Sequence, residues 1–238
     1  WNDGMNRVGD AGTGESVWLG WFLARTLKDF LPLALARGDR ERMVWCNEQL
    51  RRLARALHNE AWDGDWYRRG YFDDGTPLGS HANAECSIDA IAQSWAVISG
   101  IAEPERASRA LEASLRRLVS PEAKLIRLLD PPFQHHVPNP GYIQAYPAGV
   151  RENGGQYTHG VLWTLMALAL EQKGDRLGEL VALLNPINHA LTPEEAERYR
   201  VEPYVVAADV YTHPEHVGRG GWTWYTGAAG WFYRIVLE

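Results

Sequence analysis

Apolar residues recur with the period of an α-helix in several stretches of the chain. The first such stretch covers residues 15–37, and Gly38 follows where a helix would end. Comparable patterns predict further helices at about 40–61, 86–99, 104–119, 156–173, 175–184 and 227–237. The sequence therefore predicts a mainly α-helical protein in which seven or eight helices follow one another in pairs.

Two stretches break the helical pattern. Residues 62–80 mix aromatic residues with turn residues, which favours a short hairpin or a structured loop. Residues 130–155 hold five prolines and four glycines, and a loop of this length inside a domain usually binds something. Because the polar, chemistry-bearing residues lie in the connections at one end of each helix pair, the layout is typical of an α/α toroid.

Composition and charge exclude several classes of protein. No apolar run approaches the roughly 20 residues that a membrane span requires, so we expect no insertion into a bilayer. The net charge of −6 is spread along the chain, which argues against nucleic acid as a partner and suits a neutral substrate. Cys46 and Cys86 lack metal-ligand spacing, so we expect buried thiols, no metal site and a reducing, cytoplasmic compartment.

Aromatic residues are unusually frequent, with 11 Trp and 10 Tyr in 238 residues. Sugar rings stack on aromatic faces while their hydroxyl groups need fixed polar partners, so this composition favours a saccharide site. The alternative is that the rings pack helix against helix. We expect about two thirds of the Trp residues to serve that packing role.

The chain opens on Trp1-Asn2-Asp3-Gly4-Met5-Asn6, which places a carboxylate between an aromatic ring and two amides. An apolar wall raises the pKa of a carboxylic acid and keeps it protonated, as a general acid requires. The alternative for Asp3 is a simple turn or helix cap, since Asn-Asp-Gly is common in turns. The opening also lacks an initiator Met and a targeting segment, so a fragment of a longer protein is expected.

Two further clusters suit sugar hydroxyls and an anion. Arg151, Glu152 and Asn153 form a charged set that could bind hydroxyl groups, and His159 follows at a predicted helix start, where it could bind an anion or merely cap the helix. Near the end of the chain, Thr226 and Gly227 also precede a helix and could form part of the same anion site.

A fourth cluster has no diagnostic spacing. It contains Glu202, Tyr204, Asp209 and Tyr211, and we expect scaffold residues and a wall of the sugar site there.

Five ordered motifs resemble the phosphorylase domain of the cellobiose-phosphorylase family. They are Trp1 to Asn6, Gly14 to Leu19, Tyr71 to Gly79, Arg151 to His159 and Trp222 to Trp231. The resemblance covers nearly the whole chain and is strongest to the C-terminal domains of cyclic β-1,2-glucan synthases and to β-1,2-oligoglucan phosphorylases. Arg151 stands where cellobiose-specific members often carry Lys, which makes cellobiose itself an unexpected substrate.

The resemblance implies an (α/α)6 toroid, of which residues 1–238 would form the C-terminal part of a single catalytic domain. It also implies inverting phosphorolysis of β-linked glucooligosaccharides, with inorganic phosphate as co-substrate and no metal or organic cofactor. Carried over by motif, Asp3 is the general acid. The phosphate-binding residues are His159, Thr226 and Gly227, and the sugar subsites contain Trp1, Tyr146, Arg151 and Glu152.

Two other functions stay open at this stage. An inverting glycoside hydrolase on the same fold would use Glu152 or Asp209 as its base, and a saccharide-binding fragment would not turn over at all. The expected partners are an oligosaccharide, phosphate and the N-terminal part of the same domain, with a homodimer left open. The parent protein could itself be attached to an inner membrane.

Overall fold

The computed structural model of the protein describes residues 2–224 and 227–237. Helices dominate this part of the chain, as the sequence predicts. The α-helices α1 to α8 are, in chain order, Val17–Ala36, Arg40–Glu60, Ala90–Ser99, Pro104–Leu118, Thr158–Leu170, Gly174–Leu184, Pro193–Tyr199 and Ala228–Leu237. Short 3-10 helices occupy Asp3–Met5, Tyr142–Ala145, Pro186–His189 and Pro214–His216.

The strands are two residues long and pair antiparallel. The strands β1 to β9 are Glu15–Ser16, Gly70–Tyr71, Pro77–Leu78, Ile88–Asp89, Val119–Ser120, Leu125–Ile126, Leu129–Asp130, Gln156–Tyr157 and Asp209–Val210. They form one three-stranded sheet, β1-β2-β3, and the pairs β4-β7, β5-β6 and β8-β9. The predicted hairpin at 62–80 is confirmed, since β2 and β3 lie within it.

The helices form an inner series and an outer series. Helices α1, α3, α5 and α8 contact one another in chain order, and α2, α4 and α6 pack on α1, α3 and α5 respectively. Burial follows this division. Helix α5 is buried from Gly160 to Leu168, whereas α2 buries only Cys46 and Leu57 along its length. The structure thus contains consecutive helical hairpins whose first helix faces the core.

A two-residue strand precedes each of the inner helices α1, α3 and α5. The strand residue before the helix acts as its N-cap in two cases: Ser16 Oγ accepts a hydrogen bond from Leu19 N, and Asp89 Oδ1 accepts one from Ile91 N at 2.7 Å. The strand pairing therefore holds the starts of α1, α3 and α5.

Two elements illustrate how the structure differs from the sequence prediction. The helix predicted at 86–99 begins at Ala90, because Ile88 and Asp89 pair with β7 and Asp89 caps the helix. Helix α7 was not predicted, although Thr192 caps it, Pro193 opens it and two glutamates follow in its first turn. Its seven residues are too few to show a helical period.

Aromatic rings join the inner helices at one place in the core. Trp163 of α5 stacks against Trp18 of α1 at a centroid distance of 6.2 Å, and it meets Trp95 of α3 edge to face at 5.2 Å. Trp231 of α8 lies 6.2 Å from the same ring. In the described part of the chain, seven tryptophans are buried or pack partly buried against the core, which confirms the packing role expected for about two thirds of them.

The two end helices of the inner series expose apolar side chains. Leu19, Leu23 and Leu33 of α1 are exposed, as are Tyr233 and Val236 of α8. Inner helices with neighbours on both sides, such as α3, bury almost every residue. The end helices therefore carry apolar surface that the described residues do not cover.

Across residues 2–224 and 227–237, the structure contains no helix that combines the length and the apolar character needed to cross a membrane.

We expect Trp163→Ala to lower the free energy of unfolding by about 3–5 kcal/mol, because the ring is buried and joins four helices. Trp45→Ala on the exposed face of α2 is the matched control and should change stability by less than about 0.5 kcal/mol. Urea denaturation followed by circular dichroism measures both. Equal losses for the two variants would contradict this account of the core.

Candidate functional site

Asp3 lies on the 3-10 helix Asp3–Met5, which packs against the 3-10 helix Tyr142–Ala145. The Tyr142 hydroxyl donates a hydrogen bond to Asp3 Oδ2 at 3.0 Å, and the backbone N–H of Tyr142 donates to Asn6 Oδ1 at 3.1 Å. The N–H of Arg7 donates to the carbonyl of Pro140 at 3.1 Å. The irregular loop 130–155 therefore reaches the opening motif and fixes its turn.

Asp3 borders a cavity of about 180 Å³. The other polar or aromatic side chains on its wall come from distant parts of the chain: Arg69, Asp89, Glu152 and Tyr157. Gly4, Met5, Ile91, Leu128 and Ile143 complete the lining. Asp89 and Ile91 belong to the start of α3, and Tyr157 is the N-cap of α5. The cavity thus lies at the N-terminal ends of two inner helices, where the helix dipole favours an anion.

A series of side-chain contacts leads from Asp3 to Glu152. The ring of Tyr142 meets that of Tyr146 edge to face at 6.0 Å, and the Arg151 guanidinium lies 5.1 Å from the centre of the Tyr146 ring. Arg151 Nε is 3.4 Å from Glu152 Oε2. The structure therefore brings Asp3 together with Tyr146, Arg151 and Glu152, which lie in a loop far from Asp3 in the sequence.

Asn153 does not bind sugar hydroxyl groups as the sequence pattern predicts. Its side chain is fully buried, accepts a hydrogen bond from Phe133 N at 2.7 Å and donates to the carbonyls of Phe133 and Tyr146. The amide oxygen and both amide hydrogens of Asn153 thus bind backbone groups of this loop. Gly154, with φ +82°, allows the chain to turn against Pro132 at the same place. Asn153 therefore holds the loop that presents Glu152.

His159 is the second residue of α5, and Tyr157 is the N-cap, so His159 does not cap the helix. Its ring contacts Trp163 at a centroid distance of 5.2 Å, and a Cβ placed on Gly227 would lie 3.3 Å from its Cε1 atom. Burial lowers the pKa of His159 below its usual value. Gly227 and His159 are thus neighbours, and burial favours the neutral form of the imidazole. Trp1 and Thr226 lie outside the described residues.

Asp209 serves the scaffold, which removes it as the base of a hydrolase. Its side chain is 1% exposed and accepts backbone hydrogen bonds from Arg151 at 3.2 Å and Trp222 at 3.3 Å. Burial raises the pKa of Asp209, and these backbone donors lower it less. Tyr204, which the sequence analysis groups with Asp209, is exposed. Its ring contacts Trp224 and does not border the Asp3 cavity.

Sequence reasoning did not find Arg69 and Asp89. Both side chains are 2% exposed, and Arg69 Nε lies 3.3 Å from Asp89 Oδ2. Arg69 also donates hydrogen bonds to Asn2 Oδ1 at 2.8 Å and to Ser16 Oγ at 3.1 Å. Asp89 could have been recognised as a helix cap, but no sequence signal distinguishes Arg69 from its neighbour Arg68, which binds Asp63.

Two effects of the surroundings act on the pKa of Asp3. Partial burial raises the pKa of its carboxyl group, and the hydrogen bond from the Tyr142 hydroxyl lowers it. Burial and the Asp3 carboxylate together raise the pKa of Tyr142 to about 12. The Tyr142 hydroxyl thus stays protonated and stabilises the ionised form of Asp3.

Comparison with known proteins identifies the chain's relatives. The family model "Glycosyl hydrolase 94 superfamily, catalytic domain" matches residues 1–238. Over its full length the chain is 56% identical to the cyclic beta-(1,2)-glucan synthase NdvB of Rhizobium meliloti (strain 1021). It is 34% identical to the solabiose phosphorylase of Paenibacillus borealis and 30% identical to the N,N'-diacetylchitobiose phosphorylase of Vibrio furnissii, again over its full length.

The chain spans less than a third of the length of these relatives. It corresponds to 8% of the glucan synthase, 31% of the solabiose phosphorylase and 29% of the diacetylchitobiose phosphorylase.

We expect Tyr142→Phe to raise the pKa of Asp3, because the variant removes a hydrogen bond that stabilises the carboxylate. Carboxyl-carbon NMR titration measures the shift directly. The control is Tyr204→Phe, which removes a hydroxyl from an exposed ring outside the Asp3 cavity. An unchanged or lower pKa of Asp3 in Tyr142→Phe would contradict the contact.

Proposed function

Because the chain belongs to the glycosyl hydrolase 94 superfamily, we propose that it carries part of the active site of an inverting glycoside phosphorylase. The observation that carries the proposal is the cavity that Asp3 shares with Glu152 and the N-terminal ends of α3 and α5. Phosphorolysis needs an acid, a carboxylate that binds sugar hydroxyl groups and an electric field that attracts an anion. The reaction needs no metal or organic cofactor, since phosphate is itself the nucleophile.

In this mechanism Asp3 donates its proton to the glycosidic oxygen as the bond from that oxygen to the anomeric carbon breaks. A phosphate oxygen attacks the anomeric carbon from the opposite face, so a β-linkage yields an α-sugar 1-phosphate. The hydrogen bond from Tyr142 lowers the pKa of Asp3, so this pKa must rise when the substrates bind if the carboxyl group is to donate a proton. Exclusion of water and the negative charge of phosphate both act in that direction.

His159, Thr226 and Gly227 are the proposed phosphate ligands. His159 lies in the first turn of α5, and Gly227 directly precedes α8. The two residues are neighbours in the structure. A neutral imidazole, as its lowered pKa implies, donates one N–H to phosphate without a buried charge. The helix starts add backbone N–H groups that carry partial positive charge.

Trp1, Tyr146, Arg151 and Glu152 are the proposed sugar-binding residues. The cation-π contact between Arg151 and Tyr146 and the ion pair between Arg151 and Glu152 fix three of these side chains relative to one another. Glu152 lies on the cavity wall and can accept hydrogen bonds from sugar hydroxyl groups. The substrate that we propose is a β-1,2-linked glucooligosaccharide, which the 56% identity to a cyclic β-1,2-glucan synthase supports.

We further propose that the rest of an (α/α)6 ring covers the exposed apolar faces of α1 and α8. The inner series of helices has apolar surface at both ends, and the phosphorylase relatives are about three times as long as this chain. Burial of such a surface is the main favourable contribution to domain assembly. The proposed partner is therefore the remainder of the same catalytic domain.

An inverting hydrolase is the second candidate, and a specific observation favours it. Asp3 and Glu152 are two carboxylates on one cavity, and inverting hydrolases use such a pair as acid and base. The two functions differ in their nucleophile. A hydrolase activates water, whereas a phosphorylase must bind an anion, and the adjacent His159 and Gly227 support the phosphorylase.

We expect Asp3→Asn to reduce turnover of a β-1,2-glucooligosaccharide in the full-length protein by ~10²–10⁴-fold, since the amide cannot protonate the leaving oxygen. Substrate binding should persist because the side chain keeps its shape. Initial rates of sugar phosphate release measure turnover, and Asp29→Asn on the exposed face of α1 is the control. A variant that keeps more than about a tenth of the wild-type rate would remove Asp3 from this role.

We expect His159→Ala to raise the KM for phosphate about tenfold or more, the effect of losing a hydrogen bond to a charged group. The KM for the oligosaccharide should stay nearly constant, because the phosphate subsite alone changes. His58→Ala, at the end of α2, is the control. If both KM values rose together in His159→Ala, the imidazole would not belong to a separate phosphate site.

A further inference from the structure

Arg69 occupies a fixed position between three parts of the chain. Its backbone N–H donates to the carbonyl of Leu78 at 2.7 Å, and its carbonyl accepts from Val17 N at 3.1 Å. The guanidinium lies 5.7 Å from the centre of the Trp18 ring and is almost completely buried. Few other orientations are available to a side chain held in this way.

The guanidinium connects the starts of two inner helices to the opening motif. Ser16 caps α1, Asp89 caps α3, and Asn2 directly precedes the 3-10 helix that carries Asp3. Arg69 contacts all three side chains, and Ser16 Oγ donates a second hydrogen bond to Asn2 Oδ1 at 3.3 Å. Asn2 is thus held by two donors, one of them charged.

The backbone of Asn2 transmits this position to Asp3. The carbonyl of Asn2 accepts a hydrogen bond from Met5 N at 3.0 Å, which closes the turn around Asp3. A general acid must point its proton at the leaving oxygen, and a displacement of about 1 Å can cost on the order of 100-fold in rate. The orientation of the carboxyl group therefore depends on Asn2 as well as on Tyr142.

We propose that Arg69 and Asn2 are positioning residues that aim the Asp3 carboxyl group at the glycosidic oxygen. The ion pair between Arg69 and Asp89 keeps the guanidinium charge balanced in the core and fixes its direction towards Asn2. This inference rests on the proposed role of Asp3 as general acid. In this proposal the buried contacts of Arg69 with Asp89 and Asn2 serve the reaction as well as the stability of the fold.

Substitution of Arg69 is a poor test, because it would leave Asp89 buried without its partner and could unfold the protein. Asn2 offers a better test, since Asn2→Ala removes one hydrogen-bond acceptor of Arg69 and leaves the buried ion pair with Asp89 intact. Asn2→Asp keeps an oxygen at the same place. Asn47→Ala, on the exposed face of α2, is the matched control.

The test measures the rates of the full-length protein with inorganic phosphate on two substrates that differ in their leaving group. On a β-1,2-glucooligosaccharide, Asn2→Ala should lower kcat about tenfold or more without a change in the KM for phosphate. On β-glucosyl fluoride the bond from carbon to fluorine breaks as the bond to phosphate forms, and fluoride leaves without a proton. Asn2→Ala should therefore keep its rate on this substrate within about twofold, and Asn2→Asp should recover most of the rate on the oligosaccharide.

Equal losses on the two substrates, or no loss on the oligosaccharide, would overturn the positioning role. The test separates this inference from the proposed function. If turnover did not require phosphate, the phosphorylase would be refuted, yet the contrast between the two leaving groups would still report whether Arg69 and Asn2 aim the acid.

Discussion

The packing of Trp163 against Trp18, Trp95 and Trp231 is the contact on which the rest of the structure depends. It holds the inner helices side by side, so their N-terminal ends open onto the same region. The short strands before α1, α3 and α5 then fix each helix start to a loop from elsewhere in the chain. The cavity next to Asp3 exists because this core and these strands bring distant segments to one place.

The electrostatics of the site follow from the same arrangement. Helix starts favour negative charge, and burial lowers the pKa of His159, which favours its neutral form. Arg69 and Asp89 place opposite charges together in the core, where either one alone would be costly. We propose that an anion binds near the carboxyl group of Asp3, which is the combination that phosphorolysis requires.

The sequence predicted much of the fold, because the long helices carry clear apolar periods and the hairpin at 62–80 carries clear turn residues. It missed α7, whose seven residues hold no complete pattern, and it began α3 too early because a two-residue strand has no period to detect. The candidate site was harder to predict from the sequence. The motifs lead to the proposed roles of Asp3, Glu152 and His159, but only the packing of three segments around Arg69 shows which buried residues support the turn that carries Asp3. Asn153 was assigned to sugar because its hydrogen bonds to the backbone of Phe133 are not visible in the sequence.

The central claim is that phosphate attacks the sugar at this cavity. The measurement that tests it most directly is the initial rate of the full-length protein on a β-1,2-glucooligosaccharide as phosphate is varied, with the product identified by phosphorus and proton NMR. The account predicts no turnover without phosphate and α-glucose 1-phosphate as the first product. Release of free glucose at an undiminished rate in the absence of phosphate would contradict it.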